Sequence, residues 1–298
     1  MPVVWVNTVL EDGLTLLQVL ASRQLILMDG AMGTELIKSG LDAQTVSTTA
    51  NLSHQNEIKK IHSSYVDAGS IVLLTNTFMV LADCANSIRS LTEVRDIARA
   101  AVCAARSQSV FVLASIGPFS YDDSRECKRK RQAVLHELLE CDGLLLETLS
   151  DEKPIELLLD LLPLESPIPL FASASYCRMN GEIVTFTGLK PGIWAQRVQA
   201  YKNVSALGSN CGKDISLVDL CIIAQDYSRV SRLPIFIRPN AGTPVYEQGG
   251  WQYPPIAEQL IACIPALSAA GVCMIGGCCG TNPEMIRAIH NATYFRSQ

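Results

Sequence analysis

A chain of 298 residues with 48% hydrophobic and 18% charged content is large enough to bury about 75% of its unfolded surface and to form two average domains or one large α/β barrel. Its formal net charge is −5 and its one basic run is residues 128–131, which argues against nucleic-acid binding. No apolar run is long enough to span a bilayer, and the first ten residues lack the basic and apolar regions of a signal peptide.

Residues 1–20 read as a preface, a strand or helix closing one end of the fold. A strand is expected over 25–29, helices over 32–39 and 55–68, and a second strand over 70–75. Helices near 82–87 and 92–107 lead to a third strand at 110–114. The basic run at 128–131 reads as the solvated start of a helix over 131–140. Strands at 143–147 and 168–172 flank a helix over 155–162. A helix at 194–202 precedes a strand at 204–208, and a helix at 214–230 precedes a strand at 234–238. The last units are a helix over 256–270, a strand over 272–275 and a helix over 283–290. Eight strands alternating with helices is the count of a (β/α)8 barrel, so residues 1–298 read as one α/β domain. The strand runs are continuously apolar, as parallel strands covered on both faces should be. A doubly wound open sheet is the runner-up. No G-x-G-x-x-G follows the first strand to support it.

In a barrel of this kind the chemistry sits at the carboxyl ends of the strands. Those ends carry Asp29, Asn76, Ser115, Glu147, Ser173, Asn210 with Cys211, Asn240, and Cys278 with Cys279. Cys278 and Cys279 lie within GGCCG at 276–280, between an apolar strand and the helix start at 281–284. The positive end of that helix favours thiolate. Neighbouring strand residues point to opposite faces, so the two thiols cannot both fill one core. Cys211 occupies a matching strand end. Three thiols on one face with no fourth protein ligand suit a catalytic zinc ion, which keeps one position open. The competing reading is burial as small hydrophobes, which we adopt for Cys103, Cys221, Cys263 and Cys273. Spacing alone leaves the choice open, because no CxxC pair is present. Eleven scattered cysteines without a secretion signal point to a reducing compartment, the cytoplasm. The sequons at Asn51, Asn203 and Asn291 are then chance matches.

Seven motifs in order carry a resemblance: MDGAMGTE at 28–35, LTNTF at 74–78, SIGPF at 115–119, LET at 146–148, GSNC at 208–211, RPNAG at 238–242 and GGCCG at 276–280. Together they resemble the homocysteine S-methyltransferase family. Their wording is closest to the homocysteine-binding domain of cobalamin-dependent methionine synthase. The resemblance implies a barrel that methylates the sulfur of homocysteine to give methionine, with Zn2+ on Cys211, Cys278 and Cys279. Zinc deprotonates a coordinated thiol and so generates a nucleophile. The resemblance also assigns the substrate ammonium to Asp29 and Glu147. The backbone from Gly30 through Ala31 and Met32 to Gly33 suits the substrate carboxylate, and Asn210 is expected to orient the zinc loop. The competing reading for the two acids is a helix cap or a core salt bridge.

The donor is left among a methylated corrinoid on a separate protein, S-methylmethionine and betaine. Residues 119–130 are shorter than the corresponding loop and helix of the family. An open mouth suits a protein-borne corrinoid, whereas a small cationic donor needs aromatic faces, for which Phe78, Phe119 and Tyr176 are the candidates. Other readings are a different thiol or selenol acceptor, and a degenerate zinc-binding barrel. A barrel aldolase or lyase would need a lysine at a strand end, and none is evident.

Overall fold

Parallel strands rich in Val, Ile and Leu dominate the computed structural model, which describes residues 13–41, 48–85, 88–122, 124–163, 166–243, 245–247, 250–254 and 256–294. The strands are β1 (Ile26–Leu27), β2 (Val72–Leu74), β3 (Phe111–Ile116), β4 (Gly143–Leu149), β5 (Leu170–Ala174), β6 (Tyr176–Met179), β7 (Glu182–Thr185), β8 (Val204–Asn210), β9 (Ile235–Arg238), β10 (Val245–Glu247), β11 (Gly250–Gln252) and β12 (Val272–Ile275). Eight of them form one parallel sheet in the order β1-β12-β9-β8-β5-β4-β3-β2. The two edges meet. Ile71 N–H donates to Leu27 O and Asp29 N–H to Val72 O, each at 2.9 Å, around a parallel bridge between Met28 and Val72. The fold is therefore the expected (β/α)8 barrel.

Alternation along the buried strands builds two apolar layers. Ile26, Met28, Val72, Leu74, Phe111, Leu113, Leu145, Phe171, Phe236 and Met274 form one inner cluster. The intervening Leu27, Leu73, Val112, Leu144 and Leu146 pack in a second cluster with the outer helices. The short helix Leu16–Ala21 is started by a capping box between Thr15 and Gln18. Its Leu16, Val19 and Leu20 join the inner cluster. Because this helix ends just before β1, it closes the amino end of the barrel and leaves the carboxyl end free for a site. Residues 1–12 of the expected preface lie outside the described residues.

The structure departs from the sequence expectations in four places. The helix expected over 131–140 is Arg125–Leu138, capped by Ser124, so the basic run lies in its middle. Lys130 and Arg131 are each 2% exposed. Lys130 Nζ lies 2.8 Å from Glu126. Arg131 donates to Leu81 O at 3.2 Å and Ser120 O at 2.8 Å, and its guanidinium lies over the Phe119 ring at 4.8 Å. Lys128 and Arg129 are exposed, as expected of the run, whereas these partners make burial of Lys130 and Arg131 tolerable. Secondly, antiparallel hairpins β6–β7 and β10–β11 follow the fifth and seventh barrel strands; their strands are three or four residues long and each hairpin sequence includes a charged residue. Thirdly, Cys103 is exposed and Cys263 half-buried, whereas Cys221 and Cys273 are buried as expected. Cys103 stands on the outer face of its helix, where its neighbours give no sign of exposure. Finally, the helix near 82–87 is Val80–Asp83, and residues 86–87 lie outside the described residues. Among the described residues no helix is long and apolar enough to cross a membrane.

Candidate active site

The ends of β8, β9 and β12 bring three sulfurs together. Cys211 directly follows β8 in a left-handed conformation, φ 56°, rare for a residue with a Cβ. Its N–H donates to Arg238 O at 3.1 Å, Cys278 N–H to Pro239 O at 2.7 Å, and Ala241 N–H to Cys279 O at 2.8 Å. The backbone of 238–241 thus holds both cysteine loops. The close turn needs Gly280 (φ 80°), where an added Cβ would lie 2.1 Å from the Tyr253 ring.

The Sγ atoms of Cys211, Cys278 and Cys279 all lie within 4.8 Å of one another. Hydrogen bonds from Cys278 and Cys279 hold the Cys211 thiol far below its ordinary range. The same bonds, with Cys211 as acceptor, push Cys279 up to about 11 and Cys278 higher still. Each sulfur is thus within hydrogen-bonding reach of the other two, as the ligands of one ion would be. Zn–S bonds of ~2.3 Å in tetrahedral geometry separate two sulfurs by ~3.8 Å, which this triad can reach. Asn240 bonds to Cys211 and has a buried Oδ1 without a partner. The donor set therefore fits a soft divalent ion such as zinc.

Opposite the sulfurs, Asp29 and Glu147 are linked by a residue that was not expected in the site. Arg238 Nη1 lies 3.0 Å from Glu147 Oε2, and Nη2 lies 3.2 Å from Asp29 Oδ1. The remaining oxygens are also held. Leu74 N–H donates to Asp29 Oδ2 at 2.8 Å, and Ser115 Oγ donates to Glu147 Oε1 at 2.5 Å. Burial pushes Asp29 up to about 7, against the pull of Arg238 and the Leu74 amide. Both acids and the arginine face one cavity of about 360 Å3, which Gly30, Ala31, Met32, Cys211, Cys278 and Cys279 also line. Gly30 has no substitute here, because a Cβ would lie 2.4 Å from Thr281 O. The Ala31 N–H already donates to Thr281 O at 2.9 Å, so this amide is not free for a ligand.

Asn210 stands behind the cavity wall, 1% exposed. It accepts from Thr148 N–H at 2.9 Å and Ser173 Oγ at 2.6 Å, and donates to Thr148 Oγ1 at 2.9 Å. Ser115 and Asn76 line the cavity, whereas Ser173 only supports Asn210. Of the three aromatic candidates, Phe78 alone lines the cavity. Phe119 is covered by Arg131, and the Tyr176 hydroxyl is 2.7 Å from that of Tyr227 in the core. Sequence reasoning missed Tyr253, whose phenol is raised first by burial and then by its closeness to Cys279, Cys211 and Cys278. It also missed Arg238. The available signal was a cation ending an otherwise apolar strand inside a quoted motif.

Comparison with known proteins shows the family and the fold. Residues 26–293 match the family model described as homocysteine S-methyltransferase. The chain is 27% identical to the methionine synthase of Mycobacterium tuberculosis over 92% of its own length, and covers 25% of that protein. It thus spans about a quarter of the methionine synthase it matches. It is also 27% identical to the homocysteine S-methyltransferase of Escherichia coli, covering 91% of this chain and 96% of that one. The metallated form of the Escherichia coli homocysteine methyltransferase MmuM superposes with a TM-score of 0.73 at 25% identity, covering 94% of this chain and 99% of that one. A family match over most of the barrel, on a fold shared with MmuM, shows that this chain belongs to the homocysteine S-methyltransferase family.

Proposed function

We propose that this chain methylates the thiol of homocysteine to give methionine, with zinc held by Cys211, Cys278 and Cys279. One observation carries the reading: a single cavity of about 360 Å3 has three clustered sulfurs on one wall and the Asp29–Glu147 pair on another. A short amino acid ending in a thiol can then set its sulfur at the cysteines and its ammonium at the acids. Zinc, when bound, supplies the charge that keeps a coordinated thiol deprotonated at neutral pH. The carboxylates hold the ammonium by charge-assisted hydrogen bonds, the wall at Gly30 and Met32 takes the carboxylate end with Ala31 contributing shape only, and Asn210 steadies the backbone beside Cys211.

For the donor we favour a methylated corrinoid carried by a separate protein. A small sulfonium or ammonium donor needs a cage of aromatic faces. Two of the three aromatics available by sequence are spent in packing. We assign the chain to the cytoplasm, in keeping with eleven free thiols. The test is methionine formation by zinc-loaded protein from homocysteine with methylcobalamin, a methylated corrinoid protein, S-methylmethionine and betaine in turn. Methylation of a different thiol or a selenol, with homocysteine inert to every donor, overturns the acceptor. Turnover with S-methylmethionine or betaine and none with either corrinoid overturns the donor.

A further inference from the structure

Arg238 comes from the end of β9, while Asp29 lies just after β1 and Glu147 lies in β4, so the guanidinium spans the barrel mouth to reach both. Its Nη2 also lies 3.4 Å from Gly30 O. All three residues are at most 5% exposed. Each of the four carboxylate oxygens already has a donor: two from Arg238, one from Leu74 N–H and one from Ser115 Oγ. A substrate ammonium therefore meets acceptors that are already oriented.

The charge balance needs the guanidinium. Two buried carboxylates beside each other do not both ionise without a compensating cation; they retain a proton between them. Such a proton leaves one acid as a donor aimed at an ammonium that needs acceptors. Arg238 supplies that cation from within the triad, so the pair needs only one further cation, the substrate ammonium. The planar fork suits this task, because it bonds two acids at once.

We propose that Arg238 is a positioning residue for the amino-acid head group, bridging Asp29 and Glu147 so that the remaining acceptor sites of the pair are aimed at a single ammonium. The inference rests on the homocysteine reading above. Burial already lifts Asp29 to about 7 with Arg238 as the largest opposing influence, so loss of the guanidinium lifts it further. The other titratable groups near this triad are Tyr65 from the helix Gln55–Asp67, Cys278 after β12, and Glu35, which faces Tyr65 from the helix Met32–Lys38.

The experiment is steady-state kinetics of the zinc-loaded full chain with homocysteine varied from about pH 6 to 9, for wild type, Arg238→Met and Arg238→Lys. In Arg238→Met the KM for homocysteine at neutral pH should rise about tenfold, and the midpoint of its pH dependence should move up by about one unit. The loss should appear in KM rather than kcat. Arg238→Lys should fall between, because one ammonium pairs with one acid at a time and competes for the substrate's own place. A KM at neutral pH that is unchanged or lower in Arg238→Met, with an unmoved midpoint, overturns the proposal. If circular dichroism shows that variant unfolded, the same readouts on Arg238→Lys decide. Wild-type turnover with an unaffected variant refutes the role of Arg238 alone. A wild type that does not use homocysteine refutes the parent reading and this one with it.

Discussion

Asn210 and Thr148 exchange two hydrogen bonds: Thr148 N–H donates to Asn210 Oδ1, and Asn210 Nδ2 donates to Thr148 Oγ1, each at 2.9 Å. Thr148 follows Glu147, and Cys211 follows Asn210, so the pair ties the acidic wall to the sulfur wall. Thr148 (φ 64°) and Cys211 (φ 56°) are both left-handed. For a β-branched residue this is a strained backbone that its surroundings must hold. Asn210→Ala should cost about 1–3 kcal/mol of stability, because it removes the acceptor of the buried Ser173 hydroxyl and of the half-buried Thr148 N–H. It should also weaken metal binding and homocysteine binding together. Chemical denaturation and metal titration on one preparation check this; a variant that loses stability with both affinities intact would show the link to be structural only.

Replacing Cys211, Cys278 or Cys279 with Ala should remove most of the zinc and the activity while the barrel stays folded. The inner cluster and the closed sheet contain none of these residues. Metal analysis beside circular dichroism reads both. Full zinc occupancy in the triple variant would move the metal elsewhere.

Asp29→Asn and Glu147→Gln should each weaken homocysteine binding by about 1.5–3 kcal/mol, the worth of a hydrogen bond to a charged group. A desamino analogue of homocysteine should bind both variants as weakly as it binds wild type. Calorimetric titration of each protein with both ligands is the check, and unchanged homocysteine affinity in both variants counts against the assignment.

His62 is fully buried, and neither ring nitrogen has a hydrogen-bond partner among the described residues. Burial lowers its pKa from 6.5 to about 4. The unfolded chain therefore takes up this proton before the folded one. Its contribution to stability is full above 6.5 and is lost as pH falls towards about 4, by about 3 kcal/mol in all. His62→Leu should flatten that loss and be neutral or stabilising at pH 7, because an unpartnered polar ring is replaced by an apolar one. Urea denaturation of both proteins at neutral and acid pH measures it. Parallel acid slopes in the two would mean that His62 does not carry the effect.

Arg131→Met should cost about 1–3 kcal/mol by orphaning Leu81 O in the interior, and should speed proteolysis near Ser120, whose carbonyl it also holds. Arg131→Lys should rescue little, since one ammonium cannot reach both carbonyls and cover the Phe119 ring. Thermal melts and limited proteolysis report the two effects; wild-type behaviour in both would make this arginine dispensable.

The eight barrel strands, the helices between them and the gathering of polar side chains at the carboxyl ends were legible in the sequence. Each depends on local quantities, namely apolar run length, helical periodicity and the residue that ends the run. The cysteine triad was legible as three strand-end residues. Its mutual distance required the parallel order β12-β9-β8, which places Cys278 and Cys279 across one intervening strand from Cys211.

Other features needed the tertiary structure, because they depend on what stands opposite a side chain. Lys130 and Arg131 look like solvated charges until Glu126, Leu81 O, Ser120 O and Phe119 are placed around them. Arg238 looks like the polar end of a strand until the barrel closes and sets it between Asp29 and Glu147, 209 and 91 residues away in the chain. Sequence by itself determined which residue types face the mouth of this barrel, since strand alternation is local. Only closure of the sheet decided which charges meet there, since pairing energy depends on distance and burial and not on position along the chain.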